Sequence, residues 1–289
     1  MKKTILLFIV ALLFTGCIAE NMDDCGGVLN LTFSHGNSTE EFDHIIGNDV
    51  RVYLYKEDKL HQVVEVPYEK IKGGQKYRIR KTFSGKMDIA AWAIPQNGKP
   101  EMIPDKEEHA FFSTSTLKHR EQTYADQLSV CEPLDDLFLG VVSAQDESLS
   151  TESNYLISMR NTVCKVNVFA ESTLFESVEA KGDPLIHLGG CSRGATLALK
   201  PFGEEVCIKT GFNEVDKEGL ISTNPIGLMP SCENKTISVT AFKGNTELFR
   251  INTEEFSEPG KEITIIIKGM TAEIKVNGWR VRVTSIIFK

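Results

Sequence analysis

Seven cysteines, six histidines and several adjacent carboxylate pairs are the side chains of this 289-residue chain best suited to chemistry, and their spacing argues against most of it. His35, His44, His61, His109, His119 and His187 are scattered, with no close pair of the kind that ligates a metal. Asp23-Asp24, Glu107-Glu108 and Asp135-Asp136 are sequence neighbours, so each pair points to opposite sides of a strand or loop. A glycosidase needs two carboxyl groups facing each other about 5–10 Å apart. Nucleophile elbow, phosphate loop, zinc-protease and dinucleotide motifs are all missing. The sequence therefore predicts no catalytic residue, no metal and no cofactor.

Cys17 is the exception, because of what precedes it. Met1-Lys2-Lys3 forms a positive start, Ile5 to Phe14 is unbroken apolar sequence, and Thr15-Gly16 are small. The apolar run is too short to span a bilayer and reads as a secretory signal over residues 1–16. Small residues directly before a cysteine resemble a bacterial lipobox, in which the cysteine sulfur is acylated and becomes the mature N-terminus. Each buried methylene of such an anchor is worth roughly 0.8 kcal/mol, so several acyl chains hold a protein to a membrane durably. Cys17 is the expected lipidation site, with residues 17–26 as a tether.

Six cysteines remain: Cys25, Cys131, Cys164, Cys191, Cys207 and Cys232. None has the CxxC spacing of a zinc or redox site. Export permits disulfides, and Cys25–Cys131 is the pairing expected in the first half. The four in the second half allow three connectivities, and buried free thiols are the alternative. Charge is acidic: 32 basic against 40 acidic residues, a net −8 that becomes −10 once Lys2 and Lys3 are removed with the signal. Such a chain repels phosphate backbones, which argues against nucleic acid as a partner.

The elements that must carry these residues alternate with period two. Leu29-Asn30-Leu31-Thr32-Phe33, Val50 to Tyr55, Tyr77 to Arg80, Cys164 to Val168, Ala195 to Leu199, Thr236 to Ala241 and Glu262 to Lys268 all put one face into a core and one into water. Gly and Asn clusters punctuate them at sandwich-like spacing. Glu40–Ile46 and His119–Leu128 are the only short helix candidates. The polar stretch Ser143–Asn154 reads as a linker. The expected fold is all-β, with antiparallel β-sandwich domains at 27–153 and 154–289. Trp92 and Trp279 are expected in cores.

Several motifs recur in order along the chain: the lipobox, Asp23-Asp24-Cys25 before a Leu-x-Leu-x-Phe strand, Val50 to Tyr55, and Met87 to Trp92. Asp135 to Gly140, Met159 to Val166 and Ile274 to Trp279 continue the series. Together they resemble the fimbrial anchor lipoproteins of the fimbrillin superfamily, in its major/minor fimbria anchor branch. The resemblance implies two tandem transthyretin-like sandwiches and a role as the basal subunit that holds a fimbrial stalk to the outer membrane and limits its length. Fimbrillin stalk or adjacent subunits are the implied partners. Glu20, Asp23 and Asp24 also resemble the tag that sends such lipoproteins to the outer face of the cell.

Stalk subunits of that superfamily are trimmed after a basic residue near the first strand, which opens a groove for a partner strand. No Lys or Arg lies between Lys3 and Arg51, so such a trim cannot release the first strand, Val28–Ser34. That favours an anchor or terminal subunit. A tip adhesin and a surface glycan-binding lipoprotein are the alternatives. The C-terminal stretch containing Arg280, Val281, Val283, Ile286, Ile287 and Phe288 is either the last strand of its own sandwich or a strand lent to a neighbouring subunit.

Overall fold

Alternation along the chain becomes strand after strand, joined by turns that use Gly and Asn where φ is positive. The computed structural model describes residues 27–82, 84–93, 101–103, 116–118, 121–122, 130–131, 133–134, 136–146, 152–176, 179 and 181–288. The signal, Cys17 and Cys25 lie outside them.

The first unit begins with β1 (Val28–His35), α1 (Thr39–Ile45), β2 (Val50–Lys56), β3 (Lys59–Val66), β4 (Tyr77–Arg80) and β5 (Gly85–Ala93). It is completed by β10 (Phe138–Asp146) and β11 (Glu152–Asn161). The order is β3-β2-β5-β10-β11-β1-β4. β10 and β11 pair only at Phe138–Asn161 and Leu139–Arg160 before they diverge. The sheet therefore folds at this corner into two layers, β4-β1-β11 and β3-β2-β5-β10. Leu29, Leu31, Phe33, Ile79, Ile157 and Met159 from one layer meet Val50, Val52, Leu54, Ile89 and Ala91 from the other. Gly140 makes the corner possible, since a Cβ there would collide with the Ile157 and Met159 side chains. Helix α1 starts where the Ser38 hydroxyl accepts the Glu41 N–H at 3.1 Å, and it drops Phe42 into the core.

Between β5 and β10 the chain leaves this unit. β6 (Glu101–Ile103) pairs with β7 (Thr116–Lys118), and β8 (Glu121–Gln122) pairs with β9 (Val130–Cys131). β7 and β9 join the second unit, alongside β13 (Pro184–Thr196) and β14 (Pro201–Gly211). That unit adds β12 (Cys164–Glu171), α2 (Thr173–Glu176), β15 (Leu220–Ser222), β16 (Ile226–Leu228), β17 (Ser238–Lys243) and β18 (Thr246–Asn252). It ends with β19 (Glu262–Lys268), β20 (Thr271–Val276), β21 (Trp279–Ser285) and β22 (Ile287–Phe288). A six-stranded sheet, β15-β12-β19-β20-β21 with β16 on β12, faces a nine-stranded sheet built on β22-β18-β17-β13-β14-β9-β8. Val166, Val168, Ile263, Ile265 and Ile274 pack on Ile186, Leu188, Ile208, Val239 and Phe249 between them.

The all-β, two-sandwich expectation holds, with three corrections. The sheets are not purely antiparallel: β1–β11, β12–β19 and β14–β9 run parallel. A parallel pair needs a long crossover, and here much of a domain lies between the partners. The expected division at 153/154 falls inside β11, which belongs to the first unit, so the sheets part after Asn161. Ser143–Asn154 reads as a linker because it is polar, yet its two ends are strand, and residues 147–151 lie outside the described residues. Within the second helix candidate, Glu121–Gln122 are strand and the rest lies outside the described residues.

The two units share an apolar interface. β2 and β5 are buried on both faces: Tyr53, Tyr55, Ala90 and Trp92 turn away from their own core. They meet Val163, Ala195, Leu197 and Met229 from the second unit. Trp92 is thus interior, 2% exposed, in the seam between sandwiches.

Candidate subunit-contact site

Five of the six expected disulfide cysteines are described, and none of the five is in a disulfide. Cys131, Cys164, Cys191 and Cys207 are buried and Cys232 is half-buried. Cys131 sits in β9 and so belongs to the second sandwich, not the first half. Cys164 donates to the Lys165 carbonyl and Cys191 to the Val206 carbonyl, at 3.9 and 3.8 Å. Burial pushes the Cys164 and Cys207 thiols up to about 11 and raises Cys191 and Cys232. Thiolate, the reactive form, is therefore scarce at neutral pH. In place of the expected bridges Cys131, Cys164, Cys191 and Cys207 act as small apolar core residues.

The C-terminal residues lie in their own sandwich. β21 pairs with β20 on one side, from Thr271–Ser285 to Val276–Trp279, and forms the outer strand of the six-stranded sheet. Its backbone carries Arg280, Val281 and Val283; their side chains, like that of Trp279, lie outside the described residues. The chain then crosses the end of the sandwich. Ile286 is buried and donates its N–H to the Met270 carbonyl at 3.1 Å. Ile287 and Phe288 form β22 beside Arg250 and Phe249 of β18, the Phe288 ring 5.7 Å from that of Phe249. Ile287, Phe288 and Met270 remain 60%, 42% and 71% exposed. Among the described residues the other edge of this seven-residue strand is unpaired, and such an edge with apolar surface beside it can pair with a strand of another chain through main-chain hydrogen bonds.

Among the described residues no group of three His, Cys, Asp or Glu side chains is placed to hold a metal. His187 is held below its usual range by burial and leans on Phe242 at 4.3 Å. Asp88 is buried and accepts the Ser143 hydroxyl. The seam residues Tyr53, Tyr55 and Trp92 escaped the pattern reading, although the nearly all-apolar runs Val52–Tyr55 and Ile89–Ala93 are the mark of strands covered on both faces.

No curated protein matches this chain. Among solved structures, it resembles a candidate polysaccharide-binding protein of Bacteroides thetaiotaomicron, at TM-score 0.63 and 12% identity over 89% of this chain and 98% of that one. A candidate adhesin of the same organism gives TM-score 0.58 at 12% identity over 90% and 98%. The fimbrial anchor protein Mfa2 of Porphyromonas gingivalis gives 0.54 at 12% over 90% and 99%. At such identities these likenesses establish the fold. Sequence-level evidence comes from the family model for Fimbrillin-A associated anchor proteins Mfa1 and Mfa2, which matches residues 22–285. Spanning nearly the whole chain beyond its apolar start, that match means that this protein belongs to the Fimbrillin-A associated anchor proteins Mfa1 and Mfa2 family.

Proposed function

We propose that this fimbrial protein is the basal subunit of a fimbrium, tethered to the outer membrane by acyl groups on Cys17 and holding the neighbouring subunit through the edge of β21. The observation that carries the reading is the state of the first strand. β1 lies between β11 and β4, hydrogen-bonded on both sides, and the sequence before it offers no Lys or Arg after Lys3 at which a trypsin-like trim could release it. A subunit whose own first strand stays in place does not open that groove, so it terminates a strand-exchange polymer. Its contact with the polymer falls to an edge that is already open, and β21 is one.

The test is a Cys17→Ala variant expressed in the fimbriated host. Labelling with a fatty-acid analogue should be lost, and fimbriae should appear in the medium instead of on cells. Retained label and retained fimbriae would overturn the reading. The glycan-binding alternative requires exposed aromatic platforms, and Trp92 is enclosed in the seam between sandwiches.

A further inference from the structure

We propose that the outward face of the β4-β1-β11 layer rests on an anionic, phosphate-bearing lipid surface. The inference builds on the tethered-anchor reading, and its test omits the acyl group so that the two fail separately. The layering comes first. The β3-β2-β5-β10 layer turns its outer face to the second sandwich. The β4-β1-β11 layer is on the far side of the first core, so its outer face points away from the rest of the molecule.

That face runs against the charge of the chain. Arg78 and Arg80 on β4, Arg160 on β11 and Lys76 just before β4 are all exposed, in a protein of net charge −8. Glu152 is the only carboxylate on the three strands, and it accepts the Asn30 side-chain amide. Register aligns the groups in rows: Arg80–Val28–Glu152, then Arg78–Asn30–Asn154, with the Lys76 ammonium on the Asn154 side chain at 2.8 Å. Leu156, 54% exposed, lies next along β11. Asn30 is buried beneath these groups, and the guanidinium groups of Arg78 and Arg80 beside the exposed Asn154 and Leu156 suit phosphate headgroups.

The tether brings this face to a membrane. The Lys81 N–H bonds the Gly27 carbonyl at 2.8 Å, so the chain enters the fold alongside β4. Ten residues from Cys17 to that point reach at most about 35 Å. With this face down, the second sandwich and its β21 edge lie on the side away from the membrane, where the next subunit would be met.

The test uses the mature chain carrying Cys17→Ala, with vesicles of phosphatidylcholine alone or with about one-third phosphatidylglycerol. Cosedimentation should show preference for the anionic vesicles, lost on going from ~0.05 to ~0.5 M salt. K76Q/R78Q/R80Q should weaken partition at least about tenfold, whereas K181Q/K217Q/K268Q on the second sandwich should not. All six side chains are exposed, and unchanged melting points verify that both variants fold. Equal binding to both vesicles, or equal loss in both variants, would overturn the proposal. So would loss of stalk-subunit binding in place of vesicle binding, which would assign the face to a protein partner.

Discussion

Trp92 fills the seam between the sandwiches, and its indole N–H is buried there without a hydrogen-bond partner. An orphaned buried donor costs about 1–3 kcal/mol, while the ring itself is worth far more. Trp92→Ala should therefore lower unfolding free energy by about 3–5 kcal/mol. Trp92→Phe removes the orphan with much of the area kept and should cost less than about 1.5 kcal/mol; urea titration of the two variants checks the order. The thiols set a second expectation. Cys164 and Cys207 have folded-state values raised to about 11 from 9.0. The folded chain thus holds protons that the unfolded chain releases between those values. Stability should be level below about pH 9 and then fall by up to about 1.4 kcal/mol per pH unit for each thiol. Cys164→Ala should flatten the fall between pH 9 and 11, and denaturation midpoints that ignore pH in this range would refute the burial argument.

At the scale of elements, two segments make opposite demands on space. The β10–β11 corner needs the missing side chain of Gly140, and Gly140→Ala should overpack it at a cost of about 1–3 kcal/mol. The C-terminal crossing needs its side chains. Removing residues 286–289 deletes buried Ile286 and the strand that covers Phe249, so the melting temperature should drop, by an amount equivalent to about 2–4 kcal/mol. An unchanged melting point with detached fimbriae would instead mean that this segment serves a neighbouring subunit. Much of this scale was legible beforehand: the runs from Leu29, Tyr77, Cys164 and Glu262 are strands with the expected faces inward, whereas in the run from Val50 the face expected in water is buried as well. The second helix candidate was not legible, because a ten-residue polar window carries little periodic signal and its only described residues pair as strand.

For the whole molecule, the decisive feature is that the chain weaves. β7 and β9 leave from the first unit to hydrogen-bond in the second, and the Tyr53–Trp92 seam closes over Leu197 and Met229. Large apolar interfaces suppress independent domain motion. Calorimetry should therefore give one transition with matching van't Hoff and calorimetric enthalpies. Residues 162–289 expressed alone should fail to fold, lacking the four strands β6–β9 of the nine-stranded sheet and exposing the seam; a soluble fragment with native-like dispersion in its NMR spectrum would contradict this.

The sequence by itself determined the core-facing side of most strands, the absence of recognised catalytic motifs, and the order of marks that places the chain among fimbrial anchors, because each is written in local period or in ordered motifs. It also marked Cys17 as the candidate for acylation, from its immediate neighbours. Tertiary structure alone decided that β1 and β11 run parallel, that residue 154 lies mid-strand, that Cys131 belongs to the second sandwich, and that Arg78 and Arg80 line up across β1 with Asn154 and Glu152. These depend on which distant strands pair and in what register. Period two fixes which side chains share a face of one strand, and leaves the neighbour across the hydrogen bonds to the fold.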